Sequence, residues 1–327
     1  MAFGLCLIVV VLGAYVRLSD AGLGCPDWPG CYGHLTPTGA AADPAGVAAD
    51  YTIPLHTGKA WREMIHRYAA STLGVLIIVI AVLAWVWRRD RIVAPLYGFA
   101  LVAIVVVQGV LGMLTVTWLL KPLVVTLHLI FGLTTLSLLW WLVLTLGRRR
   151  GGAWSAATAF LGPTLQRTQR LAAVGLAALA LQIALGGWTS SNYAAVACPD
   201  FPRCQGAWWP AMDYDSAFVL WRGLGVNYEG GVLDQPARVA IHFTHRLGAL
   251  VATLALLWAA AAVLRHRRDL PARRAAYAVL VALAVQLMIG ITTVLEGFPL
   301  WLATAHNAGA ALLLLATIAL NRTLRPA

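Results

Sequence analysis

Apolar residues run in long, nearly unbroken stretches along this chain, without the strict alternation of a half-buried strand or the narrow stripe of a surface helix. Eight stretches stand out, roughly 1–17, 63–87, 93–117, 122–146, 171–190, 238–264, 274–294 and 300–321. Each is near the ~20 residues that carry a helix across ~30 Å of hydrocarbon. The pattern predicts an all-α membrane protein with eight transmembrane helices. The first stretch is short for a full crossing, so its true start is expected upstream. It lacks a basic leader and further spans follow it, so it reads as a transmembrane helix and not as a cleaved signal peptide.

The polar residues between the stretches set the orientation. Arg88, Arg89 and Arg91 separate the second and third; Arg148 to Arg150, Arg167 and Arg170 the fourth and fifth; Arg265, Arg267, Arg268, Arg273 and Arg274 the sixth and seventh; Arg322 and Arg325 close the chain. These segments hold 15 of the 24 Lys and Arg residues. They alternate with less basic connections, so the positive-inside rule places them and both termini in the cytoplasm. The opposite face carries two long loops, 18–60 and 191–237, and two tight turns, around Lys121-Pro122 and Gly297-Phe298-Pro299. With 60% hydrophobic and only 11% charged residues, the chain lies outside the range of soluble domains. Its net charge of +11 is therefore topogenic and does not mark a nucleic-acid surface. A multi-pass protein of a bacterial inner membrane is the expected setting, with membrane lipid as surroundings.

Four of the five cysteines stand in the long outer loops, as Cys25-Pro-Asp-Trp-Pro-Gly-Cys31 and Cys198-Pro-Asp-Phe-Pro-Arg-Cys204. Pairs six apart, bent by two prolines on an oxidising face, read as local disulfides. A metal site is the alternative, although close to the first pair it finds only His34 and in the second loop no histidine before His242. Cys6, inside the first stretch, reads as a small packed hydrophobe.

The two cysteine motifs lie 173 residues apart, and the same offset superimposes Gly13 on Gly186. Glu63-Met-Ile-His66-Arg67 aligns with His242-Phe-Thr-His245-Arg246 at 179, Gln108 to Gly112 with Gln286 to Gly290 at 178, and His128 with His306 at 178. A half of four spans has been duplicated. An even number of spans gives both copies the same orientation, which predicts two tandem four-helix bundles related by a pseudo-two-fold axis along the membrane normal. The expected division is 1–146, an arginine-rich linker 147–170, and 171–327.

Each half has two intramembrane histidines, His66 with His128 and His245 with His306. Counted from Trp61, Pro122 and Trp301, His66, His128 and His306 fall within roughly 10 Å of the outer boundary at ~1.5 Å per residue, and His245, nine residues after Pro236, is consistent with a similar depth. Ionisable groups at this depth are rare and usually functional, and a neutral imidazole is a standard axial ligand of haem iron. Helix-to-helix hydrogen bonding is the plain alternative for any single histidine. Two pairs at matched depth in a duplicated unit favour ligation. Arg67 and Arg246 follow a ligand on the outward side, where they could meet haem propionates or simply reach for headgroups. Glu63 shares a helix face with His66, three residues on, whereas the second half has His242 there. That asymmetry suggests chemistry in the first half and electron storage or transfer in the second. An interfacial salt bridge with Arg62 or Arg67 is the competing reading of Glu63.

The cysteine pair, Glu63-x-x-His66-Arg67, His128, His245-Arg246, His306 and the duplication together resemble the haem A synthases of bacteria and mitochondria, over nearly the whole chain. The abrupt N-terminus is a departure. The resemblance implies an oxidoreductase acting on a CH group, which takes the C8 methyl of haem O through successive hydroxylations to the formyl group of haem A. It implies that His66 and His128 frame the substrate haem with Glu63 essential beside it, and that His245 and His306 hold the iron of a haem b cofactor. Cys25 and Cys31 match the family's redox-linked pair, and Cys198 and Cys204 a second pair found in some members. Haem O synthase and cytochrome oxidase assembly factors are the implied partners, and a homo-oligomer stays open. A di-haem conduit passing electrons to or from quinone would keep the histidines without needing Glu63 or the cysteine loops, and a haem carrier is a third possibility.

Overall fold

A computed structural model of the protein describes residues 1–90, 94–150 and 162–325. Arg91 and 151–161, the middle of the linker, lie outside the described residues, as do the side chains of Arg148 to Arg150. Among the described residues the regular structure is all helical, and the only β pairing is the isolated bridges Cys31–His34 and Cys204–Ala207. In chain order the α-helices are α1 (Ala2–Leu18), α2 (Pro37–Ala42), α3 (Pro44–Asp50), α4 (Thr57–Val86), α5 (Pro95–Thr117), α6 (Pro122–Arg150), α7 (Pro163–Ser191), α8 (Tyr214–Ala217), α9 (Gln235–His266), α10 (Leu270–Leu295) and α11 (Leu300–Thr323).

Seven of these, α4 to α7 and α9 to α11, are long and apolar enough to cross a membrane. The shorter α1 is apolar over its 17 residues. Several helices extend beyond the apolar stretches that predict them. Proline at the first helical position starts α5, α6 and α7, since its fixed φ suits the first turn and its missing N–H has no partner to lose there. The polar run Gln166 to Arg170, expected as linker, continues α7 because Gln and Arg are good helix formers that can reach out of the apolar zone.

The described chain divides into two compact units. One contains Met1–Leu136, Ser190–Tyr193 and Phe218–Asp234; the other contains Ser137–Thr189, Ala194–Ala217 and Gln235–Ala327. In the first, α1 and α5 pack against α4. The approach of α5 to α4 is close at Gly98, where a Cβ would lie 2.8 Å from Ala81 Cα. Lys121, 1% exposed, is held in this unit by the segment 218–234: its ammonium donates to the Gly223 carbonyl and sits 3.2 Å from the centre of the Trp221 ring. Burial there pulls the Lys121 ammonium below its ordinary pKa. In the second unit α10 packs against both α9 and α11.

Candidate functional site

Both cysteine loops are built on one plan. Cys25 is bonded to Cys31 and Cys198 to Cys204, with Cα–Cα distances of 4.7 Å in each. Asp27 accepts from the backbone N–H groups of Tyr32 (2.6 Å) and Gly33 (2.9 Å), and Asp200 from those of Gln205 (2.7 Å) and Gly206 (2.8 Å). The bend therefore satisfies its own amides. Partial burial works against the Asp200 carboxylate, but the Gly206 and Gln205 N–H groups outweigh it and hold this carboxyl below its ordinary pKa.

Each loop is fastened to the helix below it by the arginine that follows a histidine. Arg67 donates to the carbonyls of Asp27 (3.0 Å), Pro29 (3.3 Å) and Gly30 (2.6 Å), and Arg246 to those of Cys198 (2.9 Å), Asp200 (2.8 Å) and Arg203 (2.8 Å). Loop carbonyls, not open space, are what these guanidiniums face.

The halves differ at the next contact. Glu63, 4% exposed, accepts from Arg67 Nη2 at 2.5 Å through Oε1 and from the Cys25 backbone N–H at 2.9 Å through Oε2. A buried carboxylate is thus tied directly to the disulfide loop, 38 positions away in sequence. In the second half, His242 Nε2 accepts from Arg246 Nε at 3.3 Å, and its ring meets Phe298 edge-on.

Beneath these contacts lie the four histidines, all half-buried. His66 is within electrostatic reach of His128, and His306 of His245. Every imidazole is seated on a glycine of a neighbouring helix. A Cβ would come within 2.9 Å of His66 Cε1 at Gly13, 3.2 Å of His128 Cε1 at Gly112, 3.2 Å of His245 Cε1 at Gly186, and 2.8 Å of His306 Cε1 at Gly290. The Nδ1 atoms of His66 and His128 are buried without a hydrogen-bond partner. Among the described residues no group of three or more His, Cys, Asp or Glu side chains could hold a bare metal ion. Haem iron needs only two axial ligands from the protein, because the porphyrin supplies the rest. Paired imidazoles on walls kept flat by glycine, with an unpartnered Nδ1 on both His66 and His128, fit that demand.

Sequence reading passed over Gln182 and gave Gln108 and Gln286 no role. Gln108 Nε2 donates to the His128 carbonyl at 2.9 Å, and Gln182 and Gln286 do the same to His245 and His306 at 3.0 Å each. The available signal was a glutamine four residues before the glycine in three of the four places.

Fold and site together define a multi-pass, all-helical membrane protein with four half-buried histidines seated on glycines. Residues 1–318 match the COX15-CtaA family, described as cytochrome oxidase assembly protein. The chain belongs to that family. It is 42% identical over 321 residues to the heme A synthase of Shewanella oneidensis, covering 96% of this chain and 92% of the relative. The heme A synthases of Rhizorhabdus wittichii (29% over 332 residues; 95% and 88% covered) and Halalkalibacterium halodurans (27% over 311; 92% and 87%) are similar over comparable spans.

Proposed function

We propose that the chain is a haem A synthase, an oxidoreductase that converts the C8 methyl of haem O into the formyl group of haem A. The observation that carries this reading is the arrangement of four glycine-seated histidines in two pairs, with a buried carboxylate beside only one of them. In this reading α1 is the eighth span. The helices form two tandem four-helix bundles, 1–146 and 171–327, related by a pseudo-two-fold axis, with 147–170 between them. Both termini and the arginine-rich connections lie in the cytoplasm, and the cysteine loops on the outer face. Haem O synthase and assembly factors of cytochrome oxidase are the expected partners.

His66 and His128 take the substrate haem O, and His245 and His306 hold haem b. When bound, haem b supplies a one-electron redox centre. Taking a methyl to a formyl group with water as the oxygen donor releases four protons and four electrons, the electrons passing on to an external acceptor, so a proton acceptor is needed beside the first site. Glu63 is that acceptor. A proton arriving at Oε1 displaces the Arg67 contact, while Oε2 keeps its bond from Cys25. The freed guanidinium stays on the loop carbonyls it already holds. Those same bonds occupy most of the five N–H donors of Arg67 and Arg246 and leave few for propionates.

Co-expression with a haem O synthase in cells lacking haem A, followed by extraction and chromatography of the haems, tests the reading. Haem A beside haem b is expected. Haem O that persists unaltered would leave only a conduit or a carrier.

A further inference from the structure

Three of the four histidines are gripped in the same way, and the fourth is not. Gln108, Gln182 and Gln286 each lie one helical turn before the glycine on which the imidazole rests. Besides donating to the histidine's backbone carbonyl, the Gln182 amide nitrogen lies 3.0 and 3.5 Å from the two ring nitrogens of His245, and that of Gln286 lies 3.2 and 3.3 Å from those of His306. An in-plane approach at such nearly equal distances would collide with Cε1. The amide therefore lies over the ring face, fixing the imidazole while leaving its in-plane lone pair for another partner. Gln108 Nε2 is 3.4 Å from His128 Nε2.

A second glycine, one turn past each of these histidines, makes room for the amide. A Cβ at Gly248 or Gly309 would overlap Oε1 of Gln182 or Gln286, and one at Gly132 would come within 3.1 Å of Gln108 Nε2. The three Oε1 atoms are buried without a hydrogen-bond partner. Leaving a buried acceptor unpaired is destabilising. Accepting that cost three times points to a role in the sites and not in folding.

His66 has none of this except its seat on Gly13. The chain's own repeat shows what is missing: the offset of 173 places Val9 opposite Gln182, and that of 179 places Ala69 opposite Gly248. The polar group within reach of the His66 ring is the Val9 backbone carbonyl.

We propose that Gln108, Gln182 and Gln286 are positioning residues that lock His128, His245 and His306 as fixed axial ligands, and that His66, with Val9 in the glutamine's place, is the ligand that lets go. The first site then exchanges its haem, as a substrate site must, and the second retains it. This rests on the reading of the four histidines as haem ligands.

The test is haem release from the purified, haem-loaded full chain to an excess of haem-free globin, followed by stopped-flow absorbance alongside the low-spin electron paramagnetic resonance signal. The parent should release haem in two phases, fast from the first site and slow from the second. Gln182→Met or Gln286→Met, which keeps the length but removes the donor, should speed the slow phase by about tenfold, the worth of one hydrogen bond, and shift the second haem's signal. Val9→Gln with Ala69→Gly should slow the fast phase by a similar factor. Two bound haems whose release and signals are unmoved in the glutamine variants would overturn the clamp. Haem content unchanged in His245→Ala and His306→Ala would instead overturn the ligand reading beneath it.

Discussion

The two halves of this chain use one scaffold to opposite ends. In the second, both histidines carry a glutamine on the ring face, and the arginine at the cysteine loop meets the imidazole of His242. In the first, only His128 has a glutamine, whose amide bonds its carbonyl and lies 3.4 Å from its Nε2, and the corresponding arginine meets the carboxylate of Glu63. The shared parts are the glycine seats and the aspartate-bent cysteine loops. The parts that differ concern how firmly an iron ligand is held and whether a proton can be taken up. On the proposed reading, a resident site and a working site differ by substitutions at a few repeat positions, Val9 against Gln182, Ala69 against Gly248 and Glu63 against His242.

The largest effect should come from the resident site. His245→Ala or His306→Ala removes one of two axial ligands and should abolish stoichiometric low-spin haem b; His66→Ala should leave it in place. Reduced-minus-oxidised spectra of purified variants check this, and an unchanged spectrum in the second-half variants would erase the distinction between the halves.

Stability should separate the two loop arginines. Arg67→Ala strands a buried carboxylate, a loss of about 3 kcal/mol, whereas Arg246→Ala strands an imidazole that can stay neutral, about 1–2 kcal/mol. Thermal unfolding in detergent should place Arg67→Ala several degrees below Arg246→Ala; equal shifts would mean that both arginines serve only the loop carbonyls.

The smallest effect concerns pH. The folded Asp200 carboxyl titrates below its ordinary value, so its contribution is fully present above the ordinary carboxylate pKa and is lost as pH falls through the depressed folded one. Protection of the Gln205 and Gly206 amides against hydrogen exchange should drop in that acid window and stay constant from there to neutrality. Protection lost already near neutral pH would put another group in control of the bend.

Much of this was legible in the sequence. Apolar length marks the seven long helices, and the cysteine, histidine and arginine landmarks repeat at nearly constant offsets. The ends of α7 were not legible, because Gln166 to Arg170 is polar enough to read as linker yet helix-forming enough to continue the helix. Nor was the bond from Cys25 to Glu63, since a main-chain donor 38 positions away has no signature in side-chain type. Gln182 was hidden by the repeat itself: its counterpart is Val9, and a comparison that seeks matches passes over the position where the copies diverge.

Glu63→Gln keeps the shape of the side chain and removes its titration, so the haems made by this variant beside a haem O synthase speak most directly to the division of labour between the halves. Haem b should remain at the parental level, with haem O or a hydroxylated intermediate accumulating and haem A formation lowered by about 10²-fold or more, the usual worth of a positioned acid or base. Haem A made at the parental rate would show that Glu63 only anchors the cysteine loop and that the first half does not owe its chemistry to it.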